Sequence, residues 1–116
     1  MIELFDREGR EAAFCRGGHS VYLWDGTPAA YITDDAVYTY SGRLIGWARD
    51  GWITDGAGER LLFEFDAVGG PEKPRRQTKT AAAPRRPKPA KGTPEPISAR
   101  PAPTLAWSER SLAELI

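Results

Sequence analysis

Val21-Tyr22-Leu23-Trp24-Asp25-Gly26-Thr27-Pro28-Ala29-Ala30-Tyr31 contains one complete β-hairpin signal. A run of β-branched and aromatic residues meets an Asp-Gly pair, and a second short run returns. Asp-Gly supplies the positive φ of a tight hairpin turn. The half from the glycine to the aromatic recurs as Gly9-Arg10-Glu11-Ala12-Ala13-Phe14, Gly42-Arg43-Leu44-Ile45-Gly46-Trp47 and Gly58-Glu59-Arg60-Leu61-Leu62-Phe63. The four glycines stand 17, 16 and 16 residues apart. A period this short holds two strands and two turns, too few for a helical repeat or a propeller blade. The reading is an all-β domain of four consecutive hairpins with no helix, spanning residues 1–68.

The copies differ in detail. Asp6-Arg7-Glu8-Gly9 and Asp55-Gly56-Ala57-Gly58 read as longer turns than Asp25-Gly26 and Ser41-Gly42. Between hairpins, Asp34, Asp50 and Asp66 recur, and Arg16-Gly17-Gly18-His19 takes the first such place. Asp and Gly recurring there imply a recurring tight bend. A lone hairpin is marginal in water, so four must bury one face together. The expected core is Phe14, Tyr31, Trp47 and Phe63, with Ala13, Ala30 and Gly46 allowing close approach at the centre. Leu62 departs from that small-residue rule.

These copies resemble the four-fold beta-flower proteins of bacteria. The resemblance rests on about residues 2–66. It implies four petals about a pseudo-fourfold axis, and no catalytic residue set.

Beyond Gly69-Gly70 the composition changes. Residues 1–68 hold eleven of the twelve aromatics, and residues 71–116 hold nine of the ten prolines. The zero net charge conceals a split. The first part has twelve acids against six arginines, a balance of −6, and the rest has ten bases against four acids, +6. Residues 69–104 read as a disordered basic spacer, because Pro, Ala, Lys, Arg and Thr bury too little apolar surface to offset chain entropy. Lys73, Arg75, Arg76, Lys79, Arg85, Arg86, Lys88 and Lys91 follow one another with no acid between. Such a run neutralises phosphates without reading sequence. Arg75, Arg76, Arg85, Arg86 and Lys88 are therefore the candidates for an anionic partner, nucleic acid included. The run has no aromatic for base stacking, and the acidic head competes for the same cations.

Residues 105–116 read as a short docking segment. Ser108 is placed to cap a helix, with Trp107 and Leu112 in hydrophobic-staple spacing. Leu112, Leu115 and Ile116 share one helical face. So few residues cannot hold a helix alone, so the segment should order on a partner. That partner is the same head, a second copy or another protein. Trp107, Leu112, Leu115 and Ile116 are the candidate docking residues.

Catalytic chemistry has little support. Cys15 and the single His19 are four apart across a glycine bend, with no third group to orient them. One histidine disfavours a zinc site of the usual Cys/His type. The aspartates between hairpins are ordinary bend residues. No cofactor or metal is expected. Exposed aromatics among Tyr22, Trp24, Tyr38, Tyr40 and Trp52 would form a ligand platform; buried ones would form core. One cysteine leaves no intramolecular disulfide, which agrees with a reducing cytoplasm. The first residues lack a signal-peptide pattern, and no apolar run approaches membrane-span length. The best functional reading is a non-enzymatic interaction or assembly module, with an anion-binding accessory protein as the alternative.

Overall fold

A computed structural model describes residues 1–77 and 80–116. Eight strands follow one another: β1 (Ile2–Phe5), β2 (Glu11–Arg16), β3 (Ser20–Leu23), β4 (Pro28–Thr33), β5 (Ala36–Thr39), β6 (Leu44–Arg49), β7 (Trp52–Asp55) and β8 (Arg60–Phe63). Each pairs antiparallel with the next, and β8 returns to β1 to close a barrel. The closing register is the single pair Phe5↔Phe63. Closure removes the open sheet edges that would otherwise invite aggregation. The described residues of 1–66 contain no helix, as the hairpin reading requires.

The repeated aliphatic pair has a structural meaning. In every hairpin the register shifts by one residue, so that Ala12, Ala29, Ile45 and Leu61 are the extra residues of β-bulges. Strict alternation would send each of these outward. At the bulge, Ala29 and Ala30, Ile45 and neighbouring strand residues, and Leu61 and Leu62 all join one aliphatic cluster. That cluster draws Leu4, Ala13, Cys15, Val21, Ala30, Val37, Ile45, Ile53 and Leu62 from all eight strands, and it fills the barrel. Ala13, Val21, Ala30 and Val37 are wholly buried there. Small residues at the crowded centre thus behave as expected, and Leu62 supplies bulk from the last copy.

The recurring aromatics are not the centre. Phe14, Tyr31, Trp47 and Phe63 point to the other face of the sheet and form separate groups outside the barrel. Phe14 stacks on Tyr22, with ring centroids 5.3 Å apart, and Tyr31 on Tyr38 at 5.6 Å. Trp47 joins Tyr31, Ala36, Tyr38 and Tyr40, and Phe63 joins Phe5, Trp52 and Ala67. Period-two alternation explains the correction. Aliphatic and aromatic residues at adjacent positions must face opposite sides, and a barrel this narrow admits only the smaller set inside.

The turns are more alike than their sequences. In all four hairpins a backbone N–H donates to the carbonyl four residues on: Asp6 to Arg10, Leu23 to Thr27, Thr39 to Arg43, and Asp55 to Glu59. The outer turns are therefore no longer than the inner ones. Asp6 and Asp55 sit at the first turn position, and each accepts two backbone N–H bonds through Oδ1. Between hairpins, Gly17-Gly18, Asp34-Asp35 and Asp50-Gly51 adopt positive φ, so the tight bend recurs at three places, and Asp66 does not share it.

A candidate docking surface: the strapped barrel

The described residues of 69–104 do not hang free. They run around the outside of the barrel and touch each hairpin turn in order. Gln77, Arg86, Glu95 and Thr104 donate their backbone N–H groups to the carbonyls of Gly9, Gly26, Gly42 and Gly58, at 2.9, 2.9, 2.7 and 2.9 Å. The donors are nine residues apart each time. The chain behind the barrel thus has its own period, one step per petal. A second bond joins the two middle petals, from Ala83 N to Trp24 O and from Gly92 N to Tyr40 O. At the corresponding places for the outer petals stand Pro74 and Pro101, which have no N–H to donate.

The turn glycines are fitted to this strap. Gly26 has φ +89, and a Cβ there would lie 2.1 Å from the carbonyl oxygen of Pro84. Gly42 has φ +98, and its Cβ would meet the carbonyl oxygen of Thr93 at the same distance. The glycines that define the repeat therefore serve both the turn and the strap.

Side chains complete the cover over the aromatic groups. Arg76 lies over Phe65 and Phe5, at 4.1 and 5.5 Å from the ring centroids, and Lys91 lies 4.2 Å above Tyr31. Tyr38 donates its hydroxyl to Glu95 O at 2.9 Å. Thr80 N donates to the Glu11 carboxylate, and Lys73 Nζ to the carbonyls of Phe65 and Ala67. The expectation of disorder fails for a physical reason. Prolines pre-set φ and lower the entropy cost of ordering, and the barrel presents ready acceptors and aromatic faces. Of the aromatics weighed as a ligand platform, Tyr22, Tyr38, Tyr40 and Trp52 are consequently buried, and Trp24 is half-buried. Burial raises the Tyr40 hydroxyl pKa, with Tyr22 and Tyr31 adding to it.

The candidate anion-binding side chains have separate fates. Arg76 is spent on the two phenylalanines. Arg75, Arg85, Arg86 and Lys88 are exposed, and Lys88 Nζ reaches Ser20 Oγ at 3.4 Å. Among the described residues none of the five is within ion-pair distance of a carboxylate. Lys79, part of the same run, lies outside the described residues.

The docking segment seats on its own barrel. Arg60 N donates to Ala106 O, and Ser108 N to Arg60 O, so the chain pairs briefly with β8. Trp107 packs edge-on against Trp52 and Phe63, with centroids 5.5 and 5.9 Å away. It does not staple Leu112. Ser108 is not the cap either: it is 2% exposed, and its hydroxyl donates to Asp55 Oδ2 at 2.7 Å. The helix α1 is shorter, Leu112–Leu115, and Ser111 caps it in a capping box with Glu114. Leu112 is 3% exposed and belongs to the aliphatic cluster that fills the barrel. It enters among the turn residues Asp6 and Arg7 and the strand residues Ala12, Leu23, Leu61 and Leu62. Arg7 donates to Ser108 O at 3.0 Å, and Arg43 donates to Leu115 O. Leu115 is half-buried, and Ile116 stays 39% exposed.

Among the described residues the opposite mouth of the barrel carries no such plug. It is an open depression of about 390 Å³ lined by Ile2, Leu4, Cys15, Ile32, Ala48 and Ile53, with Asp35, Asp50 and Glu64 among its polar neighbours. Burial pushes the Cys15 thiol pKa up, and Glu64 adds to this; backbone hydrogen bonds oppose it. Cys15 faces the barrel, whereas His19 is exposed and its Nδ1 lies 2.8 Å from Gly17 O. Among the described residues no three metal-type ligands converge.

The family model described as 4-fold beta flower protein matches residues 2–116. The chain belongs to the 4-fold beta flower protein family. The match runs through residues 69–116 as well as the barrel, so the beta flower includes its strap. The resemblance carried by residues 2–66 is thereby extended, because the four clips make petals and strap one structure. No curated protein and no solved structure matches the chain. No helix of this beta flower, among the described residues, is long and apolar enough to cross a membrane.

Proposed function

We propose that this beta flower is a non-enzymatic interaction or assembly module, in which residues 105–116 are an exchangeable plug. The observation that supports it is Leu112. A four-residue helix has no stability of its own, yet it delivers one aliphatic side chain into the turn-end mouth of the barrel. Such a site accepts any short helix that presents an aliphatic side chain at the same depth, including the segment of a second copy. The plug's rim is built to be left: Leu105 is 70% exposed and Ile116 39%. A cytoplasmic location goes with this reading, since Cys15 is free and buried.

The test adds a synthetic peptide of residues 105–116 to the full chain and to a Leu112→Asp variant. The variant should bind the peptide, and at high concentration the wild type should exchange plugs and show a dimer by light scattering. A variant that stays folded, fails to bind the peptide and never self-associates would falsify the proposal.

The second reading is an accessory protein for an anionic partner. It is favoured by the exposed Arg75, Arg85, Arg86 and Lys88, none of which makes a described ion pair. Binding to duplex DNA or RNA should then fall steeply with salt and should survive Trp107→Ala. Absence of binding even at low salt ends it.

A further inference from the structure

Arg60 stands where none of the other copies has a base. The corresponding positions of the other copies are Glu11, Pro28 and Leu44. Arg60 is only 7% exposed. Its guanidinium carbon stands 4.9 Å over the Trp52 ring, and Nε donates to Thr104 O at 2.8 Å. Among the described residues no carboxylate comes within ion-pair distance of it. A buried cation without a counter-ion is costly. Burial lowers the Arg60 pKa, and the more distant Asp50 only partly opposes this.

Arg60 borders a cavity of about 240 Å³ between the last petals and the strap. Arg49 and Arg100 also line it, from β6 and from the strap respectively, as do Thr54 and Trp47. Among the described lining residues Asp50 is the one acid, beside three arginines. Arg100 reaches the cavity only because the strap holds its course: Thr104 is clipped to Gly58 and to Arg60.

We propose that this cavity binds a phosphate-type oxyanion, which supplies the counter-charge that Arg60 lacks. Planar guanidiniums match the oxygens of such an anion in paired hydrogen bonds. The cavity size suits a free phosphate or a terminal phosphomonoester. Its strap residues, Arg100, Pro101 and Pro103, precede Thr104 in the chain, and it does not depend on exchange of residues 105–116.

Thermal unfolding of the full chain tests this, with inorganic phosphate, adenosine monophosphate or an unphosphorylated DNA duplex added at constant ionic strength. Chloride is the control. About 10 mM inorganic phosphate should raise the midpoint saturably by roughly 5 °C or more over chloride. Arg49→Gln and Arg100→Gln alter exposed side chains and should leave the phosphate-free midpoint within roughly 2 °C of wild type. Each should weaken phosphate binding at least about tenfold. In the wild type, the amide resonances of Val68 and Gly69, which border the cavity, should shift with phosphate. A phosphate effect no greater than chloride overturns the proposal. So does an effect that both variants retain, or stabilisation by the duplex alone.

Discussion

At the level of single residues, the turn glycines show how one side-chain absence serves two partners. Gly42 needs its left-handed φ for the hairpin turn and its missing Cβ for the strap. Gly42→Ala should therefore cost about 2 kcal/mol, more than the turn strain alone. Urea unfolding measures this, and amide exchange at Gly92 and Glu95 should accelerate first. Cys15 yields a pH prediction. Its thiol pKa is raised in the folded state, mainly by burial. Below the ordinary cysteine pKa of about 8.5 the thiol is neutral both folded and unfolded, and stability is unaffected. As pH rises above that value the unfolded chain loses the proton first, so stability falls. Denaturation midpoints from neutral to alkaline pH should decline in the wild type and decline less in Cys15→Ala.

Among the elements, α1 contributes through one side chain. Leu112→Ala should cost about 2–3 kcal/mol, the lower part of the range for a buried leucine, because its surroundings at the mouth can partly collapse. Circular dichroism melts would read the loss, and Trp107 fluorescence would report whether the neighbouring pairing with β8 survives. The hairpins themselves were legible. Val21–Leu23 and Ala36–Thr39 have β-branched and aromatic residues, and glycine turns bound them. The helix cap was misread because Ser108 and Ser111 both suit the position. The choice between them was made by Asp55, which takes the Ser108 hydroxyl from β7, far away in sequence. The bulges were visible only as aliphatic pairs, since register is a property of two strands and not of one.

For the whole molecule, charge is the organising quantity. The barrel part is acidic and the strap basic, and wrapping one around the other brings opposite balances together. The described ion pairs, Arg10 with Asp6 and with Glu8, lie within one turn, so attraction between barrel and strap is diffuse. Diffuse attraction between exposed charges is screened by salt. Raising sodium chloride from about 50 mM to about 1 M should speed amide exchange at Gln77, Arg86 and Glu95 severalfold, while the barrel amides of Val21 and Val37 stay protected. Equal acceleration at both sets would show that strap and barrel open together.

What the amino-acid order determined by itself was the repeat, hence four hairpins, their turns and the acidic-to-basic division. Those features live in side chains near one another along the chain, where propensity and alternation act directly. Only the tertiary structure decided which face of the sheet was the interior and where residues 69–104 would lie. The strap's nine-residue step is made by backbone N–H groups of Gln77, Arg86, Glu95 and Thr104, four residues with unlike side chains. Because every non-proline residue has that donor, the step leaves no mark on residue identity, and it becomes visible only when the barrel presents four carbonyls to receive it.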